Sequence, residues 1–281
     1  MLEHSLRGHS RKRKLSYNEI DKCHPSIRKK ALSTQSCLPT SIYKNLVKHN
    51  KTCKKSDEHC LLDKANLPSA KKETLRTTYL RPKYPSTWEK DPDNWLDNYN
   101  IMNVMKQYQE ATPWFRFVGV YPIDFSVQNP YHTDKPVCLH PELCDLNLEV
   151  EYKKGVRALG FIFNLDPHYK GGSHWVGLYC DIHDLYAKPG SKKHTWCAYF
   201  DSYGYDTPAY IKQYMQFLYS QDKRMKLMYN ARRFQYSNSE CGVYSMYFII
   251  CMLNNIRFKD FCKDSVPDKS MLKLRHLFFR K

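Results

Sequence analysis

Between Cys241 and Ile256 the chain carries Val243, Tyr244, Met246, Tyr247, Phe248, Ile249, Ile250 and Leu253, which would place apolar side chains on every side of a helix. A helix without a polar face cannot lie on a surface and has to be wrapped by other elements. The run is shorter than the ~20 apolar residues of a membrane span, and no other stretch comes closer to one. The opening residues, Met1 to Ser5, lack the apolar core of a secretory signal, so a soluble protein made in the cytosol is expected.

The elements able to wrap that helix stand ahead of it. Ile101, Val104, Met105 and Tyr108 recur on one helical face. Phe115–Tyr121, Ala158–Asn164, His174–Cys180 and Trp196–Phe200 read as strands, and Val176, Leu178 and Cys180 share a face by strict alternation. The polar stretch from Lys188 to His194 is a hairpin-like turn between the last two. A helix follows from Pro208 to Tyr219, with Ile211, Met215 and Leu218 in register, and then a strand-like piece near Met225–Tyr229. Strands with helices segregated around them define an α+β domain.

Charge divides the chain. Residues 1–90 hold 21 Lys and Arg against 8 Asp and Glu, while the remainder holds 24 against 20. The expected organisation is a basic, flexible leader (1–35), a small helical arm (36–85) and a core (86–281). In the arm, Thr40-Ser41 caps a helix bearing Ile42, Leu46 and Val47. Pro82, Pro85 and Pro92 mark a linker. The clusters Arg11–Lys14 and Arg28–Lys30 could attract nucleic acid, an anionic virion interior or an import receptor. Eleven cysteines without a secretion signal or a CxxC pair suggest reduced thiols rather than a disulfide framework, with Cys180 and Cys197 as inert core. His49, Cys53, His59 and Cys60 match no usual zinc spacing, and no metal or organic cofactor is expected.

Three places carry chemistry. His174 starts one strand, Asp201 ends the next, and Cys241 starts the apolar helix. Strands joined by a hairpin bring the start of one beside the end of the other. If the helix N-terminus meets the same edge, the three side chains converge. A helix N-terminus and an imidazole both favour a thiolate. Such a thiolate attacks a carbonyl, the imidazole protonates the leaving amine, and the carboxylate orients the ring. Gln235 and the Cys241 N–H could receive the oxyanion, and Gly242 permits a close approach there. Taken singly, each residue is as well explained as a surface histidine, a turn or a packed thiol.

Taken together, Gly172-Ser173-His174-Trp175, Tyr199-Phe200-Asp201-Ser202-Tyr203-Gly204 and the segment Gln235 to Tyr244 resemble the SUMO-protease and adenovirus-protease clan of cysteine peptidases, with its order His, Asp, Gln, Cys. Trp95-Leu96-Asp97-Asn98 is similar to the clan's Trp-Leu-Asn-Asp opening. Within the clan the chain resembles the polyprotein-processing proteases of African swine fever virus and related large DNA viruses, from the basic arm to the ending Leu274–Arg280. It departs from them at Asp201, where an Asn variant is usual, and in a longer turn at 188–194. The resemblance implies a papain-like core of the adenain and SUMO-protease type, with catalytic His174, Asp201, Gln235 and Cys241. Trp95, Trp175 and Gly242 would bind substrate in a tunnel that admits only Gly-Gly. The substrate would be a viral polyprotein cut during virion maturation, in the host cytoplasm and the virion, or else a ubiquitin-like conjugate. Nucleic acid held by the basic front would be a further partner. A non-catalytic basic scaffold and an acyltransferase are the competing classes.

Overall fold

The chain, described from a computed structural model over residues 20, 22–27, 36–130, 136–188 and 190–280, builds one sheet whose strands lie in sequence order: β1 (Phe115–Pro122), β2 (Ala158–Asn164), β3 (Trp175–Asp181), β4 (Trp196–Phe200) and β5 (Lys226–Tyr229). Strand β3 is antiparallel to both its neighbours, and the outer pairs β1/β2 and β4/β5 are parallel. Alternation along β3 sends Trp175 and Tyr179 into one apolar core and Val176, Leu178 and Cys180 into another. The sheet is therefore covered on both faces.

Ahead of the sheet come α1 (Thr40–His49), α2 (Glu58–Asp63), α3 (Ser69–Tyr79) and α4 (Asn98–Ala111). Within and after it come α5 (Pro141–Cys144), α6 (Leu148–Lys153), α7 (Ala209–Gln221), α8 (Cys241–Leu253), α9 (Phe258–Phe261) and α10 (Asp268–Phe278). Helix α8 is the central apolar helix, and every one of its residues is buried. It packs on β2 and β3 where two glycines leave room. A Cβ on Gly177 would stand 3.0 Å from Phe248, and one on Gly160 would stand 3.3 Å from Ile249. Helices α4 and α10 complete that core, and α7 covers the opposite face.

The sequence reading missed α5, α6, α9 and α10. The first three are too short to show a helical period. Helix α10 buries Met271, Leu274 and Phe278, but it also buries Arg275, and a cation on the inner face hides the apolar stripe. The cap expected at Thr40-Ser41 lies one residue earlier, at Pro39, without a side-chain bond.

The expectation of reduced thiols is corrected for six of the eleven cysteines. Cys23 is bonded to Cys37, Cys53 to Cys60 and Cys138 to Cys144. The first two bonds staple the arm, whose own apolar cluster is a handful of leucines, too little surface for a small unit to hold itself together. The same bonding removes Cys53 and Cys60 as zinc ligands, and His59 Nε2 meets the Arg81 carbonyl at 3.0 Å. Cys180 and Cys197 are free, buried and opposite one another across β3/β4, and burial pushes the Cys180 thiol well up, as suits packed, inert thiols. Part of the leader is tied down as well, since Cys23 also bridges Leu80. The clusters at 11–14 and 28–30 lie outside the described residues. The linker docks on the core: Gln107 donates to the Leu80 carbonyl, Arg81 to the Tyr108 hydroxyl, and Lys83 pairs with Arg280. Among the described residues, no helix is long and apolar enough to cross a membrane.

Candidate active site

The hairpin β3/β4 does what the sequence requires of it. His174 directly precedes β3, Asp201 directly follows β4, and His174 Nε2 meets Asp201 Oδ1 at 2.8 Å with both side chains buried. The same carboxylate oxygen accepts the Tyr203 N–H at 2.7 Å. Asn230 frames the strand end: its Oδ1 accepts the Asp201 N–H at 2.8 Å, and its Nδ2 donates to the Asp201 carbonyl at 2.9 Å.

With Nε2 engaged, Nδ1 is the ring nitrogen left for Cys241, the first residue of α8, whose thiol lies near enough to raise the ring's pKa. Burial by itself pulls the His174 pKa down. The hydrogen bond to Asp201, the hydrogen bond to Cys241 and their charges outweigh it and push the ring up to about 9. The ring is therefore a cation at neutral pH, the partner that a thiolate needs. The first N–H groups of α8 have no acceptor within the helix and point toward this place.

Gln235 is fully buried and bound to the turn that carries Asp201. Its Oε1 accepts from Ser202 Oγ at 2.7 Å, and its Nε2 donates to the Ser237 carbonyl at 2.8 Å, leaving one amide hydrogen unassigned. Gly242 is needed because Leu96 and Trp175 press on it: a Cβ there would lie 3.1 Å from Leu96 Cδ1 and 3.3 Å from Trp175 Cδ1. Trp175 Nε1 in turn donates to the Leu96 carbonyl at 2.8 Å. Trp175 is buried and Trp95 is exposed, and the two indoles do not stack on each other. They flank a cleft of about 600 Å³ that Tyr121, His140, Asn164 and Gly172 also line. Thus the sequence-predicted His174, Asp201 and Cys241 converge, Trp175 and Gly242 form the adjoining wall, and Trp95 stands at its rim.

Three contributors escaped the sequence reading. Tyr203 stacks on the His174 ring, with centroids 4.6 Å apart and planes 21° apart, while its hydroxyl donates to the Ser237 carbonyl. The β3/β4 register, continued past the strand ends, sets residue 174 opposite 203, so this pairing was accessible in principle. Arg275 of α10 is fully buried against Glu240, the residue before Cys241, at 3.0 Å. It also donates to the Asn94 and Ser239 carbonyls and lies over the Trp88 ring. Asp268 accepts the Tyr236 and Ser237 N–H groups. Helix α10 thereby fixes both ends of the loop between Gln235 and α8, and nothing local in the sequence announces it.

This fold and site are those of a cysteine protease. No protein-family model matches the chain. It is homologous to cysteine proteases of large DNA viruses. A protein named as a thiol protease in Acanthamoeba polyphaga mimivirus is 29% identical over 235 residues, 80% of this chain and 69% of that protein. A cysteine protease of African swine fever virus is 27% identical over 135 residues, 45% of each. The crystal structure of the African swine fever virus protease shares the fold, with a TM-score of 0.67 at 21% identity over 92% of this chain and 95% of that one. The chain is a viral cysteine endopeptidase acting on protein substrates.

Proposed function

We propose that this endopeptidase cuts structural polyproteins after Gly-Gly pairs during virion maturation, in the host cytoplasm and the virion. Cys241 is the nucleophile. His174 carries the proton to the leaving amine, and Asp201 orients the ring and keeps it charged. Gln235, through its remaining amide hydrogen, and the Cys241 N–H receive the oxyanion, where losing one donor costs ~3–4 kcal/mol in the barrier. The observation that carries the reading is the bond of His174 to Asp201 with Cys241 beside the ring, and a neighbouring cleft lined by Trp95, Leu96 and Trp175. The Gly-Gly preference is supported by Trp95 and Trp175 flanking that cleft, where a narrow passage beside the indoles favours residues without a β-carbon. The test is incubation of wild-type and Cys241→Ala protein with virion polyproteins, followed by N-terminal sequencing of the fragments. Cuts at sites other than Gly-Gly-Xaa would refute the specificity.

A second reading keeps the chemistry and changes the substrate to SUMO-like conjugates. It is favoured by an African swine fever virus relative that bears the name SUMO-1 cysteine protease. Modifier–aldehyde probes beside a Gly-Gly-Xaa peptide separate the two: rapid labelling without peptide cleavage selects the second.

A further inference from the structure

Beside the catalytic ring stands a cation with no anion. Arg233 has its guanidinium carbon 5.3 Å from the Tyr203 ring centroid and 4.8 Å from that of Tyr236. Its Nε donates to the Gln235 carbonyl at 2.8 Å, which sets the direction of the fork. Among the described residues, Nη1 and Nη2 have no hydrogen bond or ion pair. The nearby carboxylate of Asp268 is already committed to the Tyr236 and Ser237 N–H groups and the Tyr244 hydroxyl. Tyr203, which carries one face of this arrangement, is itself stacked on His174 and held through its hydroxyl. The guanidinium, exposed at the surface, is thus oriented over the ring that stacks on the imidazole. A planar fork of this kind matches a carboxylate with two parallel hydrogen bonds.

The reaction says which half of a substrate passes here. The acyl half lies in the cleft bounded by Trp95 and Trp175. His174 must reach the leaving nitrogen to protonate it, so the chain beyond the scissile bond runs past the imidazole. The two ring distances put the guanidinium within about 10 Å of that imidazole, which an extended chain spans in about three residues.

We propose that Arg233, clamped by Tyr203 and Tyr236, is a subsite for an acidic side chain among the first three residues after the cleaved bond. The inference rests on the function proposed above only in taking the Trp95–Trp175 cleft for the acyl half. The test uses quenched-fluorescence peptides in which the two residues before the cut are randomised, Gly-Gly included, and Glu, Gln or Lys stands at each of three positions after it. Wild type should favour Glu over Gln by about tenfold in kcat/KM at one of these positions, mostly through KM, and the preference should shrink at high salt. Arg233→Gln should bring the Glu-to-Gln ratio to one, Arg233→Lys should keep part of it, and Arg233→Glu should favour Lys. A wild-type ratio of one, or a ratio unmoved by Arg233→Gln, overturns the subsite. Cleavage after pairs other than Gly-Gly counts against the acyl-side specificity alone, because the ratio is still read from whatever is cut.

Discussion

Replacing Asp201 with Asn separates the charge of that side chain from its shape. Asn can present its Oδ1 where the carboxylate now accepts from His174 Nε2 at 2.8 Å and the Tyr203 N–H at 2.7 Å, so the ring can stay in place. The new amide nitrogen takes the position of Asp201 Oδ2, which is buried without a partner, at a cost of ~1–3 kcal/mol in stability. The charge is lost. In the native protein His174 is lifted from 6.5 to about 9, equivalent to ~3 kcal/mol of preference for the charged ring. Burial opposes that preference and Asp201 is the first of the groups that support it. With Asn present the neutral hydrogen bond remains but the charge of Asp201 no longer opposes burial, so the ring's pKa should fall. At pH 8 the imidazolium fraction then drops, and kcat/KM should fall roughly tenfold, with a smaller loss at pH 6. The assay is kcat/KM on a peptide between pH 5.5 and 10, together with the rate of Cys241 alkylation over the same range. Stability follows with a definite sign. A raised histidine contributes fully below pH 6.5 and loses that contribution as pH climbs through about 9. Wild type should therefore weaken between those values more than the Asn variant does. An Asn variant whose alkaline limb stays near 9 would refute the assignment of Asp201 as the group that charges the ring.

Denaturing alkylation without reductant should label five cysteines, and all eleven after reduction; intact mass reads both numbers, and eleven without reductant would exclude the three bonds. Cys23→Ala with Cys37→Ala opens a loop of 14 residues and should cost ~3 kcal/mol in denaturant unfolding of the arm. Gly242→Ala places a Cβ 3.1 Å from Leu96; kcat/KM should drop about tenfold with the fold kept, and Leu96→Ala should restore part of it, each ~1–3 kcal/mol in overpacking terms. Arg275→Met leaves Glu240 buried and unpaired, costing ~3–5 kcal/mol by chemical denaturation, while the double change with Glu240→Gln should recover a good part.

Local patterns reached far into this molecule. The apolar run at 241–253 had to be interior because no face of it could meet water, and it is. Alternation at 174–180 sorted side chains to two faces, and both faces are covered. The meeting of His174 and Asp201 follows from the antiparallel pairing of their two strands, in the register that sets Gly177 opposite Phe200. What failed were features that depend on partners distant in the chain. Arg275 interrupts the apolar stripe of α10, and Glu240, 35 residues away, is what makes it tolerable inside. Thiol spacing does not say which sulfurs meet, so the pairs in the arm and at 138–144 were invisible. Tyr203 read as part of an ordinary turn until the register put its ring on the imidazole.

By itself, then, the order of residues determined the element types, the buried helix and the kinds of reactive group, because periodicity and side-chain chemistry act over a few neighbours. Only the folded chain decided the charge state of His174, the anchoring of the loop before Cys241 on α10, and the placing of Arg233 beside Tyr203. Each is set by burial and by contacts across long stretches of sequence, and neither quantity exists until the layers have packed.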